Sequence, residues 1–291
     1  MFFGSIPALV TPFSGKCVDE DSLRALVEWQ VEQGSNGLVP CGTTGESATM
    51  SAAEQRRVIE ITVEAARGRV PVIAGCGSNN VAHSIEYLHA AKEAGADAAL
   101  VVMGYYNRPS QAGMLAAFRA LSEASELPII IYNIPGRAVV DISVETMAEM
   151  AKLSNIVGVK DATGNLGRVS AQRLACGKGF VQLSGNDETA LAFNAMGGVG
   201  CISVTANVAP RLCSDFQKAM REGRWDDALK LQGRLYPLHT ALFTDASPGP
   251  VKYALSRVRL GFPTELRLPL VEASESSRRA VDRALEHAGL I

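Results

Sequence analysis

Long hydrophobic runs are missing from this 291-residue chain. None approaches the roughly 18 apolar residues that would span a bilayer, although 47% of the residues are hydrophobic. Aromatic residues are sparse at 6%, and charge of neither sign is in excess, the formal net charge being −2. No basic surface advertises nucleic acid or anionic lipid, so neither a nucleic-acid nor a membrane partner is expected. Biased and low-complexity segments are lacking too, which excludes the collagen-like and disordered classes. The six cysteines, at positions 17, 41, 76, 176, 201 and 213, form no Cys-x-x-Cys pair, and a chain of this length needs no disulfide staples. Four histidines include no His-x-x-x-His pair, so no metal site is expected. Gly-x-Gly-x-x-Gly and Walker-type loops are absent, and no cofactor is expected. The opening residues lack a basic leader and a cleavage site, which predicts a cytoplasmic protein without a signal peptide.

What is present is a repeated pattern. Eight short, almost continuously apolar runs occupy residues 5–10, 37–41, 70–74, 98–103, 128–132, 156–159, 180–183 and 199–204. Strands buried on both faces read this way. Segments of helical period lie between them. Leu23, Leu26, Val27 and Val31 form a stripe that ends at Gly34, Ser51-Ala52-Ala53-Glu54 is a capping-box pattern, and Ile85, Leu88 and Ala91 lead to Gly95. Strand, loop and helix repeated eight times with right-handed crossovers predict an α/β fold, a (β/α)8 TIM barrel. An open doubly wound sheet alternates in the same way, but it usually carries the missing glycine fingerprint. From Trp225 onwards the text is helical, broken by Ser247-Pro248-Gly249-Pro250 and Gly261-Phe262-Pro263. The expected organisation is a catalytic barrel over 1–224 and a helical extension over 225–291 packed on it.

The catalytic face of such a barrel lies at the carboxyl ends of the strands. The residues following the runs are small, hydroxyl-bearing, phenolic and amide-bearing: Gly42-Thr43-Thr44-Gly45-Glu46-Ser47, Tyr105-Tyr106-Asn107, Tyr132-Asn133 and Gly185-Asn186 among them. Of the eight lysines, only Lys160 terminates a buried-strand run, the other seven falling in polar loops or helix-like segments. A structural lysine there would have to snorkel or pair with a carboxylate, and Asp161 is its neighbour. The functional alternative is a Schiff-base nucleophile. A solvated lysine, with a pKa of about 10.4, is almost wholly protonated at neutral pH, and a partly desolvated barrel mouth would supply the free amine that imine chemistry needs. Tyr132 ends the adjacent run and is either a rim aromatic or a proton shuttle. Thr43, Thr44 and Tyr106 offer hydroxyls, and the glycines around the threonine pair let it present backbone N–H groups to a carboxylate. Arg137 is either a solvated surface residue or a bidentate carboxylate clamp. Asp187 and Glu188 after the seventh run would repel phosphate, which favours a small carboxylate substrate.

The motifs Gly42-Thr43-Thr44-Gly45-Glu46, Tyr132-Asn133-Ile134-Pro135 and Lys160-Asp161 resemble those of the dihydrodipicolinate synthase and N-acetylneuraminate lyase family, and the resemblance runs over essentially the whole chain. Thr43-Thr44, Tyr105-Tyr106-Asn107-Arg108-Pro109, Arg137 and Ser203-Val204-Thr205-Ala206-Asn207 look like the synthase branch. The resemblance implies that Lys160 forms an imine with pyruvate and that Tyr132, Thr43 and Tyr106 relay protons. It also implies that Arg137 holds the carboxylate of L-aspartate-4-semialdehyde, that Thr44 binds the pyruvate carboxylate, and that Gly185 and Ile202 line the pocket. In the family the second tyrosine of the Tyr-Tyr pair reaches in from a neighbouring subunit, and a homotetramer built as a dimer of dimers is implied. Ser47, Ala48, Asn79 and Tyr105 match a feedback site for lysine. Ala52, Gln55 and His83 fall where lysine-sensitive enzymes often carry histidine or an acidic residue, so weakened or altered inhibition is expected.

Overall fold

Alternation inside the apolar runs decides the architecture, because residues two apart on a strand share a face. The computed structural model describes residues 2–291. It begins with strand β1 (Gly4–Pro7), a small antiparallel hairpin of β2 (Phe13–Ser14) and β3 (Cys17–Val18), and helices α1 (Glu20–Glu32) and α2 (Ala52–Ala66). Strand and helix then alternate through β4 (Ile73–Gly75), α3 (Val81–Glu93), β5 (Ala98–Val102), α4 (Gln111–Ala124) and β6 (Ile129–Asn133). Short helices α5 (Pro135–Ala138) and α6 (Val144–Met150) lead to β7 (Ile156–Asp161), α7 (Gly167–Cys176), β8 (Val181–Ser184), α8 (Ala190–Ala195), β9 (Gly200–Ser203) and α9 (Pro210–Arg221). Helices α10 (Trp225–Ala241), α11 (Gly249–Val258) and α12 (Glu275–Ala288) follow. The α2 start carries the expected reciprocal cap, Ser51 Oγ accepting from Glu54 N–H and Glu54 Oε2 from Ser51 N–H.

Seven strands form one parallel sheet in the order β1-β9-β8-β7-β6-β5-β4. The run at 37–41, expected to be a strand, contributes isolated bridges instead, Ala8 with Val39 and Leu38 with Val72. Those bridges still close the ring. Val39 N–H donates to the Pro7 carbonyl at 2.9 Å, and on the other side Ile73 N–H donates to the Leu38 carbonyl at 2.8 Å. The run stops short because Pro40 has no N–H to give and Cys41 turns into the left-handed region at φ 57°. Gly75 makes the junction possible, since a Cβ there would stand 2.0 Å from the Cys41 carbonyl oxygen.

The ring divides the core in two. Ile6, Ala8, Val39, Ile73, Leu100, Ile130, Leu183 and Ile202 fill its interior, while Ile129, Ile131, Val159 and Val101 face the helices together with Phe118, Leu88 and Met147. Each fully buried aliphatic side chain of this kind contributes about 1.5–3 kcal/mol relative to an exposed one. Helix α10 packs on α9 and α12, and α11 packs on α12. Among the described residues no helix is long and apolar enough to cross a membrane.

Candidate active site

Register and alternation build the site. Tyr132 on β6 and Lys160 on β7 are direct neighbours across the strand pair, and both point into the ring. Lys160 Nζ lies 4.2 Å from the centre of the Tyr132 ring, and only 5% of the lysine is exposed. Asp161, one residue on, points the opposite way. Its carboxylate accepts from Thr163 N–H at 2.9 Å, from Thr163 Oγ1 at 2.7 Å and from Gln172 Nε2 at 3.0 Å, and it pairs with Arg168 at 3.4 Å. The neighbouring carboxylate, the partner a structural Lys160 would need, is thus committed to Arg168 and Gln172 of α7. Among the described residues Lys160 has no carboxylate partner. A primary amine facing a cavity can add to a carbonyl compound held there.

Above the pair lies a cavity of about 100 Å³, walled by Gly42, Thr43, Thr44, Tyr132, Ile134, Arg137, Lys160, Gly185, Asn186 and Val204. The threonines sit on a tight turn in which Gly45 N–H donates to the Gly42 carbonyl and Glu46 N–H to the Thr43 carbonyl, both at 3.1 Å. Thr11 Oγ1 donates to the Gly45 carbonyl at 2.7 Å and ties the turn to the segment after β1. Thr44 is buried, Thr43 exposed at the rim, and Arg137 exposed on the short α5. Gly185 has no room for a side chain, since a Cβ would lie 2.7 Å from that of Ala162. Ile202 is fully buried beneath, in the packed interior of the ring.

The structure therefore gathers Lys160, Tyr132, Thr43, Thr44, Arg137 and Gly185 around one cavity, with Ile202 below it. Tyr106 stands apart, 90% exposed at φ 73°, and takes no part in the cavity of its own chain. A second, wider cavity of about 650 Å³ adjoins the first through Thr43, Ile134, Arg137 and Ser247, and is lined by Ser47, Ala48, Gln55, Asn79 and Tyr105. His83, exposed on α3, does not line it.

Several residues escaped the reading of the sequence. Phe243 and Ser247, between α10 and α11, form part of the wall. The break Ser247-Pro248-Gly249-Pro250 was their one signal, as a rigid turn inside a helical stretch. Lys252, one of the lysines in helix-like segments, is fully buried and pairs with Glu46 at 2.6 Å. Burial pulls its ammonium down from the ordinary lysine value, with Glu46 opposing that shift. The cysteines are free: Cys41, Cys76, Cys201 and Cys213 are buried, and burial pushes these four thiols up. Asp187, expected from the sequence to repel phosphate, is instead buried, its carboxylate accepting from Val204 N–H at 2.9 Å and Thr205 N–H at 3.0 Å, which fixes the loop after β9. Among the described residues no three His, Cys, Asp or Glu side chains converge as metal ligands.

Known proteins resemble the chain over its whole length. The model of the Dihydrodipicolinate synthetase family matches residues 1–288. The 4-hydroxy-tetrahydrodipicolinate synthase of Rhizorhabdus wittichii is 62% identical over 290 residues, and that of Zymomonas mobilis 62% identical over 291, each match covering 100% of both chains. The crystal structure of the chloride-inhibited dihydrodipicolinate synthase from Acinetobacter baumannii, complexed with pyruvate, superimposes with a TM-score of 0.97 at 43% identity, again over 100% of both chains.

Proposed function

The chain belongs to the Dihydrodipicolinate synthetase family, and on that premise we propose that it is a 4-hydroxy-tetrahydrodipicolinate synthase, joining pyruvate to L-aspartate-4-semialdehyde through an imine on Lys160. The observation that carries this reading is the lysine itself: buried at the inner face of β7, against Tyr132, with Asp161 turned away from it.

The chemistry follows from those positions. Lys160 Nζ attacks the ketone carbon of pyruvate to give a carbinolamine. Loss of its hydroxyl as water needs a proton donor, a role for the phenol of Tyr132, whose ring lies against the lysine. Removal of a methyl proton from the resulting imine gives an enamine, whose terminal carbon attacks the aldehyde of the semialdehyde. The amino group of that substrate then adds to the imine carbon, the ring closes, and Lys160 leaves as free amine. Thr44 and the backbone around Gly45 receive the pyruvate carboxylate, Arg137 receives that of the semialdehyde, and Gly185 and Ile202 shape the floor. Thr43 and Tyr106 complete the proton relay with Tyr132. Because Tyr106 is exposed in its own chain, the relay is completed by a neighbouring copy, and the working assembly is a homotetramer of two dimers. The wider cavity is a site for lysine, with Ser47, Ala48, Asn79 and Tyr105 on its wall. Ala52 brings no side-chain hydrogen bond and His83 lies outside the lining, so inhibition there is weakened, which initial rates across a lysine titration test. The setting is cytoplasmic biosynthesis of diaminopimelate and lysine.

Borohydride reduction with pyruvate, followed by peptide mass spectrometry, tests the central step. The expected result is a reduced pyruvoyl adduct on Lys160 whose yield falls when the semialdehyde is added. An adduct indifferent to the semialdehyde would make the chain an aldolase for another acceptor, and no adduct would overturn the imine mechanism.

A further inference from the structure

The Gly42–Ser47 turn carries one residue to which the reaction gives no task. Glu46 is buried, sits at φ 57°, and sends its carboxylate away from Lys160 toward the carboxyl-terminal helices. One oxygen pairs with Lys252 Nζ at 2.6 Å, and the other accepts from the Arg267 backbone N–H at 3.1 Å. Lys252 Nζ also donates to the Glu265 carbonyl at 2.7 Å and lies 4.5 Å from the centre of the Phe13 ring. Both ionised side chains are completely withdrawn from water, the accessible fraction being 0% for each.

A fully buried ion pair is a poor source of stability, since desolvation cancels most of its attraction and apolar replacements are often neutral or better. Its benefit must lie elsewhere, and its connections point to position. The Glu46 N–H holds the Thr43 carbonyl, so the turn bearing Thr43 and Thr44 moves with Glu46. At the other end, Lys252 N–H donates to the Pro248 carbonyl at 2.9 Å, one residue beyond Ser247 in the cavity wall. One ion pair therefore fixes two walls of the same cavity relative to each other.

We propose that Glu46 and Lys252 are positioning residues: through them helix α11 sets the Thr43–Thr44 turn at the distance from Lys160 that binding of the pyruvate carboxylate requires. This inference rests on the reading of Lys160 as the imine-forming amine. The test compares Lys252→Met, Glu46→Asp and the double variant Lys252→Met/Glu46→Gln with the parent, at a temperature where circular dichroism reports each as folded. The double variant removes both charges and is expected to melt close to the parent, while Lys252→Met, which strands a buried carboxylate, melts earlier. In all three the KM for pyruvate rises and kcat/KM for pyruvate falls by about 10- to 100-fold, as expected for reacting groups misplaced by a fraction of an ångström to an ångström. The KM for the semialdehyde, held by Arg137, stays at the parent value. A folded double variant with the parent's pyruvate KM would overturn the proposal. So would a fall in kcat with both KM values unchanged, which is what a mere loss of intact sites produces. Borohydride trapping on the parent reports separately on Lys160, so failure of the imine reading is distinguishable from failure of the positioning role.

Discussion

Lys160 and Tyr132 share a cross-strand register, and the proposed mechanism asks one side-chain oxygen of the tyrosine to serve the lysine. Replacing Tyr132 by Phe keeps the ring against the lysine and removes only the hydroxyl. The expected outcome is a fall in kcat of about 10²- to 10⁴-fold, the usual worth of one positioned acid–base group, with the melting temperature unchanged. Steady-state rates and thermal denaturation measure both, and a variant retaining full kcat would remove the phenol from the mechanism. Lys160 was legible in the sequence because a cationic residue at the end of an apolar strand run is conspicuous. Lys252 was not. A lysine in a helical stretch gives no sign of its depth, and the carboxylate that makes its burial tolerable sits in a turn near the other end of the chain. Arg137 was legible as a cation at a strand end, but its exposure on α5 leaves its contribution to be measured. Arg137→Leu is expected to raise the KM for the semialdehyde while the borohydride adduct with pyruvate still forms at the parent's rate.

Eight apolar runs were enough to read an α/β barrel, yet the second run makes only bridges, because Pro40 and the left-handed Cys41 cut it short. Local backbone chemistry overrode an apolar pattern there, and ring closure survived because the carbonyls of Leu38, Val39 and Pro40 still accept from the N–H groups of Ile73, Leu9 and Gly75. Glycines at strand ends carry comparable weight. A Gly185→Ala change would drive a methyl group against Ala162 beside Lys160, and slower adduct formation with little loss of secondary structure is expected from trapping kinetics and circular dichroism. The start of α2 is held by charge as well as by its cap. Arg267 donates to both oxygens of Glu54, at 2.5 and 3.0 Å, and pushes that carboxyl down to about 2. A carboxyl whose pKa is lower folded than unfolded adds stability that is complete above about 4.3 and disappears as the pH falls through about 2. Glu54→Gln should therefore lower the melting temperature at neutral pH and flatten its decline across that acidic window, while a decline identical to the parent's would assign the acid sensitivity to other groups.

For the whole molecule, the role proposed for the exposed Tyr106 would make activity a property of the assembly. Dilution that separates the copies is expected to lower specific activity in step with the oligomer fraction seen by analytical ultracentrifugation, and a constant specific activity would return the relay to a single chain. The carboxyl-terminal segment was read as an appendage packed on a barrel that already held the chemistry. Phe243 and Ser247 put part of that segment in the cavity wall, and periodicity has no means of revealing this, since it reports which face of a helix is buried but not against what. The clamp on the Thr43–Thr44 turn has a consequence in time as well as in space. Glu46 and Arg267 are 221 residues apart, and chains emerge from the ribosome amino terminus first. Every strand of the ring and the reactive lysine are made before the residues that hold the turn in place, so a nascent or prematurely terminated chain carries the amine without a finished pocket around it. On the proposed mechanism, imine formation would await the completed chain.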